Sequence, residues 1–170
     1  MENSSYEVGT MNPQNTTLND IARYLSARDI WLDLKVGDKR ELFDAISRYL
    51  EREHGISQNL VVTSLSRRER AGSTAVGLGV AIPHARLSGL ERILIAYSRL
   101  AVPIPFGAPD GKPVSHVLVL LVPDPATDEH LKLLAEASHL FSDHRFREQL
   151  EASADADAVM QLFSTWSTGS

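Results

Sequence analysis

The sequence predicts a single α/β domain of three layers, a central mixed β-sheet with helices on both of its faces. Three observations predict it. Stretches with the two-residue alternation of strands interleave with stretches of helical 3.6-residue periodicity. The helical stretches are numerous enough to cover both faces of a sheet. No internal repeat and no Pro/Gly/Ser linker divides the 170 residues, a length that suits one core and is short for two.

Residues 1–17 are polar, offer little to bury and are expected to form a disordered tail; residues 18–166 form the domain, and 167–170 a second short tail. Thr17 or Asn19 is positioned to cap a short helix through Ile21, Tyr24 and Leu25. Ile30, Leu32 and Leu34 alternate with polar residues as in a half-buried strand. After Gly37-Asp38, Leu42, Ile46, Tyr49 and Leu50 recur at helical spacing until His54-Gly55. Ser57 caps the next helix, through Leu60, Val61 and Leu65, which ends at Gly72. Val76, Leu78, Val80 and Ile82 alternate with small residues as a strand or strand pair kinked at glycine. Strands are expected from Ile93 to Leu100 and from Val117 to Val122. The Pro- and Gly-rich segment between them reads as a loop or an irregular edge hairpin. A helix follows Thr127 with Leu131, Leu134, Ala135, Ala137, Ser138 and Phe141 on one face. Asp143 restarts a helix through Phe146 and Leu150, and Asp155 starts a last one with Val159, Leu162 and Phe163 inward.

Composition narrows the function. The chain is 43% hydrophobic and 23% charged, as ordinary globular proteins are. A formal charge of −5 and a pI near 5.6 speak against nucleic-acid binding, which needs a basic face. The absence of cysteine excludes disulfides, thiol catalysis and cysteine-ligated metals. No apolar run approaches the roughly 18 residues of a membrane span, so no membrane insertion is expected. The polar N-terminus lacks the apolar core of a secretory signal. The expected location is the cytoplasm.

The chemistry concentrates in Arg68-Glu69-Arg70-Ala71-Gly72-Ser73-Thr74, followed by Gly77, Gly79 and Val80-Ala81-Ile82-Pro83-His84. The imidazole of His84 is a nucleophile near neutral pH, and Pro83 stiffens its delivery at a strand end, where α/β folds place their sites. Gly72, Gly77 and Gly79 permit N–H groups to converge on an anion, Ser73 and Thr74 add hydroxyl donors, and Arg68 adds a guanidinium. Each residue also has a plainer reading: His84 as a loop residue, Gly72 as a helix cap, Arg68 as a solvated charge. Other glycine motifs fail. GxxxxGK[ST] is absent, Gly77-Leu78-Gly79 lacks the third glycine of a dinucleotide fingerprint, and there is no GxSxG elbow. His130 falls in the first turn of the helix capped by Thr127, where the helix terminus favours the neutral ring and its N–H is available to a phosphoryl oxygen; the alternative is an exposed surface histidine. His54, His116, His139 and His144 are read as structural or surface residues. A zinc site from His84, His130 and a carboxylate has no supporting spacing, and no cofactor is implied.

Arg68-Glu69-x-x-Gly72-Ser73-Thr74 with Gly79-x-Ala81-Ile82-Pro83-His84 resembles the phosphorylation-site motif of the type-2 IIA domains of the phosphoenolpyruvate-dependent phosphotransferase system. Leu120-Leu121-Val122-Pro123, His130-Leu131 and Leu133-Leu134-Ala135 resemble that family's second block, and the similarity runs from about Leu18 to Trp166. Within the family the chain looks most like the nitrogen-regulatory branch, standing without a IIB or IIC segment. The resemblance implies a phosphocarrier in which Nε2 of His84 accepts a phosphoryl group from an HPr-like phosphohistidine protein. His130 would stabilise the transferring group and Arg68 would offset its charge. It further implies regulatory targets tied to nitrogen or potassium physiology, a potassium transporter or sensor kinase among them. Two alternatives stand beside it: a fructose- or mannitol-type IIA that passes phosphate to a IIB domain, and a binding module that keeps the fold without the chemistry. Ala85-Arg86 departs from the glycine that often follows the histidine, with consequences for partner docking. Leu78, Ile82 and Leu87 are candidates either for a docking patch or for the core.

Overall fold

A computed structural model describes residues 20–166; the expected tails and the candidate caps Thr17 and Asn19 lie outside the described residues. The elements run α1 (Ile21–Tyr24), a 3-10 turn (Ala27–Asp29), β1 (Ile30–Leu34), α2 (Lys39–His54), α3 (Gln58–Arg70), β2 (Ala75–Gly77), β3 (Val80–Ala81), β4 (His84–Leu87), β5 (Leu94–Ile104), β6 (Val114–Pro123), α4 (Asp128–Phe141), α5 (His144–Ala152) and α6 (Ala156–Thr165). Capping residues set the helix limits. Asp38, Ser57, Thr127, Asp143 and Asp155 each accept a first-turn backbone N–H, and Gly55 ends α2 at φ +70, a conformation that suits a residue without Cβ.

The mixed sheet has the order β1-β5-β6-β3-β2, with β4 also on β6. β5 and β6 form its antiparallel centre, β1 lies parallel to β5, and β3 and β4 lie parallel to β6. β6 is buried along nearly its whole length because helices cover both faces. On one face α2 and α3 bury Leu42, Ile46, Leu50, Val61 and Leu65 against Ala96, Val117, Val119 and Leu121. On the other, α1, α4, α5 and α6 pack Ile21, Leu133, Ala137, Phe141, Phe146 and Phe163 against Tyr97, Leu118, Leu120 and Val122. Phe141, Phe146 and Phe163 meet edge to face with centroids 5.2 to 6.1 Å apart, the arrangement aromatic quadrupoles favour.

The structure corrects two expectations, selects between the two readings of a third and adds a strand. The Pro- and Gly-rich segment closes an irregular hairpin, central and not at an edge: β5 runs to Ile104 through Pro103, β6 starts at Val114, and the register breaks between Arg99 and Ile104, where a proline costs no ladder bond. Val76 and Leu78 do not share a buried face with Val80 and Ile82: the chain reverses at Leu78-Gly79, both at positive φ, and leaves Val76 and Leu78 exposed. Strand β4 was not expected at all. The buried face of α4 is Leu133, Ala137, Leu140 and Phe141, whereas Leu131 is 59% exposed; the leucine-rich sequence offers two stripes, and packing selects the one that reaches the sheet.

His116, expected at the surface or as a structural residue, is buried at the start of β6. The Tyr97 hydroxyl donates to its Nδ1 at 2.8 Å, and its Nε2–H donates to Glu151 at 3.0 Å. Burial holds its pKa below the ordinary value, with Arg147 and Arg99 acting in the same direction and Glu151 opposing.

Two outcomes follow from this packing. Phe146→Ala is expected to lower the unfolding free energy by about 3–5 kcal/mol, measured by urea denaturation. Below pH 6.5 the unfolded chain binds a proton at position 116 that the native ring resists, so His116 contributes stability that is lost as pH falls from about 6.5 toward its lower native pKa. The urea midpoint of His116→Gln should therefore depend less steeply on pH across that window than that of the parent.

Candidate functional site

β3 and β4 occupy one edge of β6 in succession. Val80 and Ala81 pair with His116 and Val117, then His84 to Leu87 pair with Leu120 to Pro123. The interruption is Ile82-Pro83. Pro83 has no N–H, its carbonyl accepts from Leu120 at 2.9 Å, and the strand resumes at His84. The histidine thus opens a strand that is pinned to the middle of the sheet.

Both ring nitrogens of His84 have fixed surroundings. Nδ1 lies 2.8 Å from the Ile82 carbonyl, which only accepts, so the ring carries its proton on Nδ1. The lone pair is then on Nε2, which faces the Arg68 Nε–H at 3.3 Å. Arg68 is itself held by a 2.8 Å bond from Nη1 to the Gly72 carbonyl. Burial lowers the His84 pKa, Arg68 and His130 push it the same way, and the Ile82 carbonyl and Glu69 oppose them. The result is a neutral imidazole with an available Nε2 at neutral pH.

The turn after α3 is braced from within. Glu69 is buried and accepts from Thr74 N at 3.0 Å, Thr74 Oγ1 at 2.6 Å and Lys39 Nζ at 2.9 Å. Ser73 Oγ donates to the Phe106 carbonyl at 2.6 Å and accepts from Ala75 N. The hydroxyls of Ser73 and Thr74 are therefore bonded within the protein and do not line the cleft beside His84. Gly72 contributes its carbonyl to Arg68. Gly79 sits in the β2–β3 turn, where its carbonyl accepts from Ser115 and His116. The expected cradle of Gly72, Ser73, Thr74 and Gly79 is thus a set of braces around the site.

The cleft itself, about 380 Å³, lies between the edge of β4, the last two turns of α3 and the first turn of α4. His84, Arg68 and His130 line it together with Ser64, Arg67, Ala71, Ala85, Arg86, Leu120 and Val122. Three arginines and two histidines meet there without a carboxylate, in a protein of net charge −5. Such a cleft attracts an anion. His130 is the third residue of α4, and its Nδ1 lies 3.2 Å from the Thr127 carbonyl. The ring thus stands at the mouth of the cleft, on the first turn of the helix, as the sequence places it.

The sequence did not single out Arg67, and it marked Arg86 only for partner docking, not as a residue of the cleft. Ser64, Arg67 and Arg68 fall at i, i+3 and i+4 on α3, one polar helical stripe that the C-cap residue Ala71 continues, and Arg86 lies two residues after His84 on the same strand face. Of the candidate docking residues, Ile82 and Leu87 belong to the core, and Leu78 is 47% exposed at the hairpin tip. Among the described residues no cluster of three His, Asp or Glu side chains has the arrangement of a metal site, and no helix is long and apolar enough to cross a membrane.

Comparison with known proteins adds lineage to this geometry. A family model described as "Phosphoenolpyruvate-dependent sugar phosphotransferase system, EIIA 2" matches residues 23–166. Over 131 residues the chain is 39% identical to the nitrogen regulatory protein of Bradyrhizobium diazoefficiens, covering 77% of this chain and 86% of that one. The crystal structure of nitrogen regulatory protein IIA-Ntr from Neisseria meningitidis superposes with a TM-score of 0.80 at 42% identity, covering 85% of this chain and 99% of that one. The mannitol enzyme IIA of Escherichia coli, solved in complex with phosphorylated enzyme IIB, shares the fold with a TM-score of 0.67 at 17% identity, covering 81% and 95%.

The tautomer and titration of His84 are open to nitrogen NMR. The neutral ring should carry its proton on Nδ1, with a midpoint below the ordinary 6.5. Arg68→Gln should raise the midpoint, because one of the causes that lower it is removed, yet leave it below 6.5, because burial is the larger cause.

Proposed function

The chain belongs to the EIIA 2 family of the phosphoenolpyruvate-dependent sugar phosphotransferase system, and from this membership and the cleft we propose that it is a cytoplasmic phosphocarrier with His84 as acceptor. The observation that carries the reading is the ring setting of His84: Nδ1–H bonded to the Ile82 carbonyl and the Nε2 lone pair turned toward Arg68 in a cationic cleft.

The donor is a phosphohistidine on an HPr-like protein. The Nε2 lone pair attacks phosphorus in line. The Nε2–P bond forms as the donor N–P bond breaks, and the bonding pair returns to the donor nitrogen. The Nδ1 proton stays in place, and its bond to the Ile82 carbonyl favours the positive character that the ring gains. Arg68 gives up its bond to Nε2 and turns the same N–H to a phosphoryl oxygen, while its anchor to Gly72 persists. His130 lines the same cleft from the first turn of α4 and stabilises the transferring group there. Positioning and fixed positive charge supply the catalysis; no covalent help from the protein is required.

The similarity to nitrogen regulatory proteins supports a regulatory role in which phosphorylation governs partner binding in nitrogen physiology. Delivery of the phosphoryl group to a IIB partner is the alternative, supported by the fold shared with the mannitol protein.

Incubation with phosphoenolpyruvate, enzyme I and an HPr-like protein tests the reading. The parent should acquire one acid-labile phosphate and His84→Ala none; label that persists in His84→Ala overturns it. His130→Ala should slow transfer roughly 100-fold with an unchanged circular dichroism spectrum, and unaltered kinetics would remove His130 from the mechanism.

A further inference from the structure

One wall of the cleft carries a cation that the transfer mechanism leaves unused. Arg86 lies two residues after His84 on β4, so the two side chains leave the same face of the strand about 6.6 Å apart. In the parallel register His84 pairs with Leu120 and Arg86 with Val122, and all four residues line the cleft. We propose that Arg86 is a second phosphoryl-binding residue, which holds the phosphoryl group on Nε2 of His84 from the strand side while Arg68 holds it from the helix side. The inference rests on the reading of His84 as the acceptor.

Three further observations carry it. Arg68 is already committed, with Nη1 on Gly72 and Nε aimed at Nε2, so it covers one side of an incoming phosphoryl group. The guanidinium of Arg86 has no hydrogen bond or ion pair with any other described residue, and it carries five donors. No carboxylate lines the cleft to compete for it. A phosphoryl dianion with three strong acceptor oxygens has more capacity than one arginine fills. The chemical step is unchanged: Nε2–P forms, the donor N–P bond breaks with its pair returning to the donor, and Arg86 moves no proton.

A competing explanation is that Arg86 keeps an edge strand from pairing with another sheet, since β4 pairs with β6 alone. The sign of the charge separates the two, because a glutamate guards an edge as well as an arginine does, whereas a phosphoryl group requires a cation. The experiment uses two phosphoryl sources, the phosphorylated HPr-like protein and the small molecule phosphoramidate, which needs no docking surface. On phosphoramidate-labelled protein, the pH titration of the phosphohistidine phosphorus resonance should shift upward by roughly half a unit in Arg86→Gln. With the protein donor, kcat/KM should fall roughly tenfold in Arg86→Gln, fall further in Arg86→Glu and recover in part in Arg86→Lys. The differences should shrink as salt is raised, while the thermal midpoints of the variants match the parent. Parental titration and rates in both Arg86→Gln and Arg86→Glu overturn the role of Arg86 alone. A parent protein that takes no phosphoryl group on His84 from either source overturns the acceptor reading and this one with it.

Discussion

The site depends on one buried carboxylate. Glu69 gathers Thr74 N, Thr74 Oγ1 and Lys39 Nζ, and through Thr74 it reaches both nitrogens of His84. Along one route, the Thr74 carbonyl accepts from Ile82 N at 3.0 Å, which fixes the residue whose own carbonyl holds Nδ1–H. Along the other, closing the turn between Glu69 and Thr74 sets the Gly72 carbonyl where it anchors Arg68, whose Nε meets Nε2. A buried carboxylate is costly unless its lone pairs are occupied, and here two neutral donors and an ammonium occupy them. Removing the Thr74 hydroxyl alone would leave Oε1 short of its partner, a loss on the order of 1–3 kcal/mol. Lys39 also sits 4.6 Å from the Phe106 ring centroid, and the Phe106 carbonyl receives Ser73, so α2, the turn and the loop before β6 close on the same point.

A second constraint is the shared edge of β6. The proline at 83 removes one N–H and bends the chain at a point where β6 still offers Leu120 to bond the Pro83 carbonyl. The imidazole therefore rests on a rigid central strand instead of a loop, yet remains half-buried at the sheet edge. Rigidity matters because in-line attack tolerates little misplacement of the reacting atom.

Much of this was legible where the signal is local. The caps Asp38, Ser57, Thr127, Asp143 and Asp155 and the stop at Gly55 marked helix ends correctly because side chain and backbone meet within three residues. The alternation of Ile30 to Leu34 and the apolar run of β6 marked strands for the same reason. What escaped depends on distant partners. His84-Ala85-Arg86-Leu87 has no strand-like composition and is a strand only because β6 presents a free edge. The inward face of α4 was chosen by the sheet beneath it. The hydroxyls of Ser73 and Thr74 suited a phosphate on chemistry alone, but Phe106 and Glu69, invisible as neighbours in the sequence, claim them. His84, Arg68 and His130 were found by chemical type, whereas Arg67 and Arg86 emerge only when the helix stripe and the strand face are brought together in one cleft.

Given the proposed role of His84, charge distribution supplies a way for a small change at one nitrogen to be sensed by other molecules. The protein is acidic overall, yet the cleft gathers Arg67, Arg68, Arg86, His84 and His130. Without a phosphoryl group this is a cationic cleft on a protein of net negative charge, attractive to an acidic surface and to a phosphoryl donor alike. A phosphoryl group would add nearly two negative charges at its centre, offsetting much of the charge of the three arginines without any rearrangement of the fold. A partner that binds through acidic groups would then lose its attraction and meet a like charge. Because discrimination depends on the difference between the two states, repulsion in one serves as well as attraction in the other. On the proposed reading, the guanidinium groups that would hold the transferred group would also report its presence, which would tie the carrier chemistry of His84 and partner choice to one cluster of side chains.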